Sequence, residues 1–288
     1  MIRLGTRGSA LALAQANWVA SQIEGAELVT ITTAGDRGAR VADKSRWTSE
    51  LERALLAGGI DLAVHSAKDV PGELAPGTEI VAVPRREDPR DVICGAVSLA
   101  ALPQGARVGT SSLRRASQLR ALRADLAIVE LRGNVDTRLR KLDDGDADAI
   151  VLAAAGLRRL GRESELGGVL AELVPAPGQG ALIVQGRTGD PVSARVAEGA
   201  LDDTSARLEV TAERAFAHAL GASCLTPLGA SATASFGSVS LAGWIGLPDG
   251  SHWIADSLTG PFDEVGRRMA ERMLAAGAGE LLGTGEPE

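Results

Sequence analysis

Asp69 is the residue in this chain best suited to act as an acid, a base or a fixed negative charge. It follows Lys68 at the end of the apolar run Asp61-Leu62-Ala63-Val64-His65-Ser66, which reads as a buried strand. A carboxylate at such a strand end can be held facing a cleft. The competing account is local: an aspartate ahead of Val70-Pro71 ordinarily bonds its own backbone in a turn. Cys224 is the second candidate. It lies among small residues in Gly221-Ala222-Ser223-Cys224-Leu225-Thr226-Pro227, where a thiol can be exposed and reactive. A structural role is nonetheless the commoner one for a lone cysteine, and Cys94, in an apolar strand, reads as inert packing.

Basic charge is concentrated locally in another stretch of the chain. The segment from Arg107 to Arg140 holds eight arginines against Asp125, Glu130 and Asp136, in a chain of net charge -7. Any single helical arginine is usually solvated surface. Here, however, Arg114, Arg115, Arg132 and Arg138 fall at or just after strand-to-helix junctions, as does Arg7 in Gly5-Thr6-Arg7-Gly8-Ser9. At such junctions free backbone N–H groups and the helix dipole favour anions, and guanidinium forks grip carboxylate or phosphate bidentately. In open α/β sheets ligands bind at that end of the strands. The expected site is therefore a pocket for a small molecule bearing several carboxylates or phosphates.

The elements that must position these residues follow from the hydrophobic pattern. Ile2-Arg3-Leu4 is a strand, Ala10 to Ile23 a helix with Ser9 as its N-cap, and Leu28 to Thr33 a strand. Ala34 to Arg46 is polar and reads as a mobile loop or lid. A helix from Trp47 to Ala57 and strands Asp61 to Ser66 and Glu79 to Val83 follow. Pro84 to Asp91 is a charged break that reads as a hinge. A second set alternates strands Val92 to Ala96, Arg107 to Gly109, Leu126 to Leu131 and Ala149 to Leu152 with helices Ser112 to Arg123, Val135 to Leu142 and Ala153 to Leu160. Such alternation implies a mostly parallel sheet covered on both faces. Pro175 to Gly180 reads as a second crossover with Gly178-Gln179-Gly180 as a tight turn, and Ala181 to Gln185 as a strand that could rejoin the first sheet. Beyond Ala200 come a long helix, Ser205 to Leu220, three alternating segments (Ala230 to Ser235, Val239 to Ile245, Ser251 to Leu258) and a helix from Asp263 to Ala276. These suggest a small antiparallel α+β domain.

Composition narrows the function. At 288 residues two or three domains are expected, and with 2% aromatics and no Tyr the cores must be Ala, Leu, Val and Ile. A pI near 5.2 and scarce aromatics exclude nucleic acid as a partner. No apolar run is long enough to span a membrane, and the N-terminus lacks a cleavable signal pattern, so a soluble cytoplasmic protein is expected. Two cysteines argue against a disulfide framework, and His65, His218 and His252 lack metal-ligand spacing. His65 reads as a satisfied core group.

With these residues in hand, the chain resembles the porphobilinogen deaminase (hydroxymethylbilane synthase) family. Matching segments include Thr6 to Ser9, His65 to Pro71, Arg86 to Asp91, Gly109 to Arg115, Leu131 to Leu139, Ala155 to Leu160, Gly178 to Ala181 and Val210 to Arg214. The resemblance implies an α/β fold of two periplasmic-binding-protein-like domains joined by two crossovers, plus a small C-terminal α+β domain. The expected domains are 1–84 with 181–199 returning to it, 85–180, and 200–288 carrying the cofactor cysteine. It implies that four porphobilinogens are condensed head to tail with release of ammonia, on a dipyrromethane cofactor bound to Cys224 through a thioether, in a monomeric cytoplasmic enzyme. Asp69 matches the catalytic aspartate that stabilises the azafulvene formed as ammonia leaves. Arg7, Ser9, Lys44, Lys68, Ser112, Arg114, Arg115, Arg132, Arg138 and Arg159 align with positions that bind the acetate and propionate groups of cofactor and growing chain. Six rings, counting the cofactor, would present about twelve negative charges to that cationic surface. Against the family pattern, the Ala34 to Arg46 loop is short and lacks a glycine pair and a second lysine. Trp47 replaces a common phenylalanine, Leu225 a glutamine and Ala10 a proline. A non-catalytic organic-anion binder, or a paralogue that binds tetrapyrrole intermediates, is the competing reading.

Overall fold

The computed structural model describes residues 1–36, 47–222 and 226–282. Its first sheet contains β1 (Ile2–Thr6), β2 (Ala26–Thr30), β3 (Leu62–Ser66) and β4 (Thr78–Ala82), with helices α1 (Ala10–Ala20) and α2 (Ser49–Leu56) between them. The second contains β5 (Asp91–Cys94), β6 (Arg107–Gly109), β7 (Ala127–Val129), β8 (Ala149–Ala153) and β9 (Gly168–Leu170), with α3 (Leu113–Leu122), α4 (Val135–Asp143) and α5 (Ala154–Arg159). The chain then returns as β10 (Leu182–Arg187) and α6 (Pro191–Ala197). It continues through α7 (Thr204–Ala219), β11 (Leu228–Ser235), β12 (Ser238–Gly246), β13 (Trp253–Gly260), α8 (Phe262–Ala275) and α9 (Ala278–Leu282).

The two five-stranded sheets have the same plan, β2-β1-β3-β10-β4 and β7-β6-β8-β5-β9. In each, four strands run in one direction and one strand contributed across the crossover runs antiparallel between the third and the edge strand, β10 between β3 and β4 and β5 between β8 and β9. The expected return of the chain into the first sheet thus takes place between β3 and β4. Parallel strands covered by helices on both faces must be apolar on both, and β3 and β8 are continuous runs of buried residues. One face of the first sheet buries Leu4, Val19, Leu62 and Val184, the other Leu51, Leu55, Ile60 and Ala63.

The third unit is the antiparallel sheet β11-β12-β13, packed on α7 and α8. Helix α7 serves two cores: Ala206 and Val210 lie with Val83 and Ile183 of the first unit, while Ala212 and Phe216 lie with Val239, Leu241 and Met269 of the third. The helices α7 and α8 meet at Gly266, where a Cβ would sit 2.4 Å from the Ala212 carbonyl oxygen and 2.8 Å from the Phe216 nitrogen. No side chain fits between backbones that close.

Several elements differ from the sequence expectation. Helix α1 stops at Ala20, three residues early, because a tight turn through Gln22 and Ile23 leads to Gly25 at φ 71. β2 covers 26–30 rather than 28–33, and α2 begins at Ser49 rather than Trp47. Of the Ala34 to Arg46 segment, 34–36 form a turn and the rest lies outside the described residues. β9 and α6 were not expected. β9 is three residues long and opens on glycine, whereas α6 did carry a signal: Asp190 as N-cap followed by Pro191.

Gly266→Ala should force α7 and α8 apart and cost about 2 kcal/mol, measured by denaturant unfolding. Gly279→Ala, with its nearest neighbour 4.0 Å away, should leave the midpoint unchanged.

Candidate active site

The carboxyl ends of the parallel strands gather the residues singled out in the sequence. Arg7 and Ser9 follow β1, and Ser9 accepts a bond from the Ala12 N–H as N-cap of α1. Lys68 and Asp69 follow β3 in a short 3-10 turn, Ala67–Asp69, that Pro71 prevents from extending. Ser112 follows β6 and caps α3 by accepting from Arg115 N–H; Asn134 follows β7 and caps α4 by accepting from Thr137 N–H. Two of the three caps are serines because a hydroxyl at that position satisfies a helix N–H that has no partner within the helix.

A buried ion cluster joins these ends across the two crossovers. Asp91, fully buried at the start of β5, accepts from Arg114 Nη1 at 2.7 Å, Arg115 Nε and Nη2 at 3.0 and 2.8 Å, and Gln179 Nε2 at 2.8 Å. Burial pushes the Asp91 carboxyl up, but the two guanidiniums outweigh it and hold the group well below the usual carboxylate range. Arg114 Nη1 also donates to the Val174 carbonyl, and Arg115 Nη1 to that of Val151. Gln179 turns its oxygen to Lys68 Nζ, 3.4 Å away. The Gly178-Gln179-Gly180 turn sits directly on the Lys68 loop: a Cβ at Gly178, at φ 76, would lie 2.9 Å from the Lys68 backbone nitrogen.

A second buried pair anchors this turn to the third unit. Glu213 on α7 accepts from Arg86 Nη1 and Nη2 at 2.7 and 3.1 Å and from the backbone N–H groups of Gly178 and Ala232, each at 2.6 Å. Arg86 Nε donates to the Gln179 carbonyl at 3.0 Å. The segment Pro84 to Asp91 is therefore not a free hinge. Arg86 is tied to α7, Glu87 and Asp88 to Arg158, and Asp91 to α3.

Several partly buried cations stand apart from these pairs, among them Arg214, which donates only to the carbonyls of Val70, Pro71 and Gly72. Lys68, Arg138 and Arg159 are partly buried and form no ion pair among the described residues. Arg138 donates only to the Gly133 carbonyl and the Ser111 hydroxyl, and Arg159 to the Gly180 carbonyl at 2.7 Å. Burial, with Arg115 close by, pushes Lys68 down to about 8 and Arg138 to about 10, and burial pushes Arg159 to about 10. Cations desolvated without a counter-ion are poised for an anion. The Asp69 carboxylate, partly exposed beside Lys68, has no hydrogen-bond partner among the described residues.

The remaining expectations divide. Arg114 and Arg115 reach the site but spend most of their donors on Asp91; Arg114 Nε is buried without a partner. Arg132 points outward to Glu130 at 2.6 Å, and Arg107 and Arg123 pair with Asp148 and Asp125, so the basic run is only partly a cationic surface. Cys94 is buried with its thiol pushed up to about 11 by burial, as inert packing should be. His65 is buried, as expected of a core group, with Gln185 beside it, and is pushed down to about 4 by desolvation. Lys44 and Cys224 lie outside the described residues. Sequence reasoning passed over Asp91, counted into a charged break, and Gln179, hidden in a glycine turn. The one available signal was an aspartate opening the apolar run Val92-Ile93-Cys94.

The family model described as porphobilinogen deaminase, dipyromethane cofactor binding domain, matches residues 2–195, and the porphobilinogen deaminase C-terminal domain matches residues 207–275. The porphobilinogen deaminase of Deinococcus radiodurans is 44% identical over 302 residues, covering 98% of this chain and 97% of its own length. That of Roseiflexus castenholzii is 46% identical, covering 98% of each chain, and that of Thermus thermophilus 44% identical, again covering 98% of each. A putative methionine-binding lipoprotein of Bacillus subtilis superposes over 69% of this chain and 90% of its own, at a TM-score of 0.41 and 12% identity.

Asp91→Asn should strand two buried guanidiniums and cost about 3 kcal/mol of stability, read as a lower denaturant midpoint. Asp148→Asn, which breaks an exposed pair, should leave the midpoint essentially unchanged.

Proposed function

This chain belongs to the porphobilinogen deaminase family, and on that premise we propose that it is a hydroxymethylbilane synthase. In this reading it is a transferase that joins four porphobilinogens head to tail, releases ammonia at each step and hydrolyses off the linear tetrapyrrole. We place it in the cytoplasm as a monomer, with divisions near residues 84, 180 and 199. No helix among the described residues is long and apolar enough to cross a membrane. Family matches along nearly the whole chain favour the enzyme over a non-catalytic anion binder.

The observation that carries the reading is the set of desolvated cations that form no ion pair among the described residues, Lys68, Arg138, Arg159 and Arg214, with Lys68 beside the carboxylate of Asp69. That donor set fits a dipyrromethane, whose acetate and propionate groups supply the missing anions. The cofactor, bound through Cys224, supplies the pyrrole end to which the first substrate unit is joined. Lys68, Arg138 and Arg159 hold ring carboxylates there, helped by the open donor of Arg114 and by Ser112. Arg7, Ser9 and Lys44 receive the incoming unit, and Arg132 lies toward the mouth, where a lengthening chain emerges.

Asp69 does the electrostatic work. Its oxygens, free of protein donors, accept pyrrole N–H groups and stand against the positive charge that appears as ammonia departs. Lys68, Arg138 and Arg159 hold the ring carboxylates in place, which keeps the reacting carbon in register with Asp69.

Intact-mass measurement should show a dipyrrole adduct on the wild-type chain that is absent from Cys224→Ser. Asp69→Asn should keep the adduct while turnover falls by about a hundredfold or more; normal turnover would remove Asp69 from the mechanism. Because Lys68 is held near 8, its charge is present below that pH and lost above it. In the cofactor-loaded enzyme, where paired carboxylates raise that value by about one unit or more, the kcat/KM for porphobilinogen should therefore fall as pH rises through about 9 or above, and Lys68→Arg should shift that fall to still higher pH.

A further inference from the structure

Arg7 differs from the other strand-end cations in being held on one edge and one face. Asp36 accepts from its Nε at 3.1 Å and its Nη2 at 2.5 Å, and the Trp47 ring lies 4.0 Å from the guanidinium carbon. Both partners are themselves fixed. The Asp36 carboxylate accepts from the backbone N–H and hydroxyl of Thr33 at 3.1 and 2.8 Å, and the Asp36 N–H donates back to that hydroxyl. Trp47 lies flat on Gly35, where a Cβ would be 2.1 Å from its ring, and the Ala34 N–H is tied to Glu50 on α2 at 3.0 Å. What is left of Arg7 is its outer edge: Nη1 makes no hydrogen bond among the described residues, and the side chain stays 21% exposed.

A guanidinium has five donors in one plane, so a carboxylate on the Nε–Nη2 side leaves the Nη1–Nη2 side for a second carboxylate. A ring stacked on the face prevents rotation out of that plane. We propose that Asp36 and Trp47 are positioning residues that lock the plane of Arg7, so that its Nη1–Nη2 edge meets a carboxylate of the incoming monopyrrole. The inference rests on the reading above that Arg7 receives substrate. The opposite arrangement, in which Asp36 occupies Arg7 as a competitor that substrate must displace, would require breaking the three Thr33 bonds that fix the Asp36 turn. Although burial pushes it up, the Asp36 carboxyl is held below its ordinary value by Arg7 and Thr33, so it stays a charged partner.

The two arrangements predict opposite signs. With the adduct-bearing enzyme, and activity referred to the fraction carrying adduct by intact mass, Asp36→Asn should raise the KM for porphobilinogen about fivefold or more while kcat stays within about twofold. Trp47→Ala should act in the same direction, and Trp47→Phe, which keeps a stacked face, should restore KM to within about twofold of wild type. In an Arg7→Leu background Asp36→Asn should add nothing, because the residue through which it acts is gone. A fall in KM in Asp36→Asn, or a loss confined to kcat, would overturn the proposal. If Arg7→Leu raises KM and Asp36→Asn does not, positioning is wrong but Arg7 keeps its substrate role. If Arg7→Leu leaves KM unchanged, that role fails, and the inference with it.

Discussion

The pairing of one buried carboxylate, Asp91, with Arg114, Arg115 and Gln179 is the interaction on which the site depends. Asp91 opens β5, the strand that the second sheet receives across the crossover, and Gln179 lies in the turn by which the chain goes back to the first sheet. Breaking this cluster would leave two guanidiniums in the interior without a partner, a costly outcome in a medium that screens poorly. The cluster therefore fixes the register of both crossovers. Through the Gln179 oxygen it also sets where Lys68 stands, and so where the Asp69 turn opens.

The chemistry follows from an unequal distribution of counter-ions. Arg114 and Arg115 are paired within the protein, Arg86 is paired with Glu213, and Arg107, Arg123 and Arg132 are paired on the surface. Lys68, Arg138 and Arg159 have carbonyls, an amide or a hydroxyl but no carboxylate. Their desolvation is a cost that folding leaves standing, and a ligand carrying several carboxylates relieves it. Asp69 is the complementary case, a carboxylate beside Lys68 with no donor among the described residues. The third unit takes part through α7, whose Glu213 grips the Gly178 turn while Arg214 holds the carbonyls of Pro71 and Gly72 on the other side of the Asp69 loop.

Much of this was legible in the residues. The continuous apolar runs of β3 and β8, the serine caps at Ser9 and Ser112, and the switch to alternating strands after Ala200 specify the layers, because each reports which faces are covered. The concentration of arginine at strand ends pointed to an anion pocket, and Asp69 could be singled out by its place after a buried strand. What stayed hidden is which arginine meets which carboxylate. Asp91 and Arg114 are 23 positions apart, and Arg86 and Glu213 127. Pairings at such separation leave no periodic trace, so Arg114 and Arg132 look alike in sequence although one is buried on Asp91 and the other faces Glu130. The short β9 and the polar role of Gln179 were illegible for the same reason, since glycine-rich turns conceal what their one long side chain reaches.

The central claim is that Lys68, with its neighbours, waits for the carboxylates of a bound oligopyrrole. It is tested most directly by following the Lys68 ammonium by nitrogen NMR through a pH titration, in cofactor-free and in cofactor-loaded protein. The account predicts a midpoint near 8 without the cofactor and a rise of at least about one unit once carboxylates pair with it. The same midpoint in both forms would contradict it.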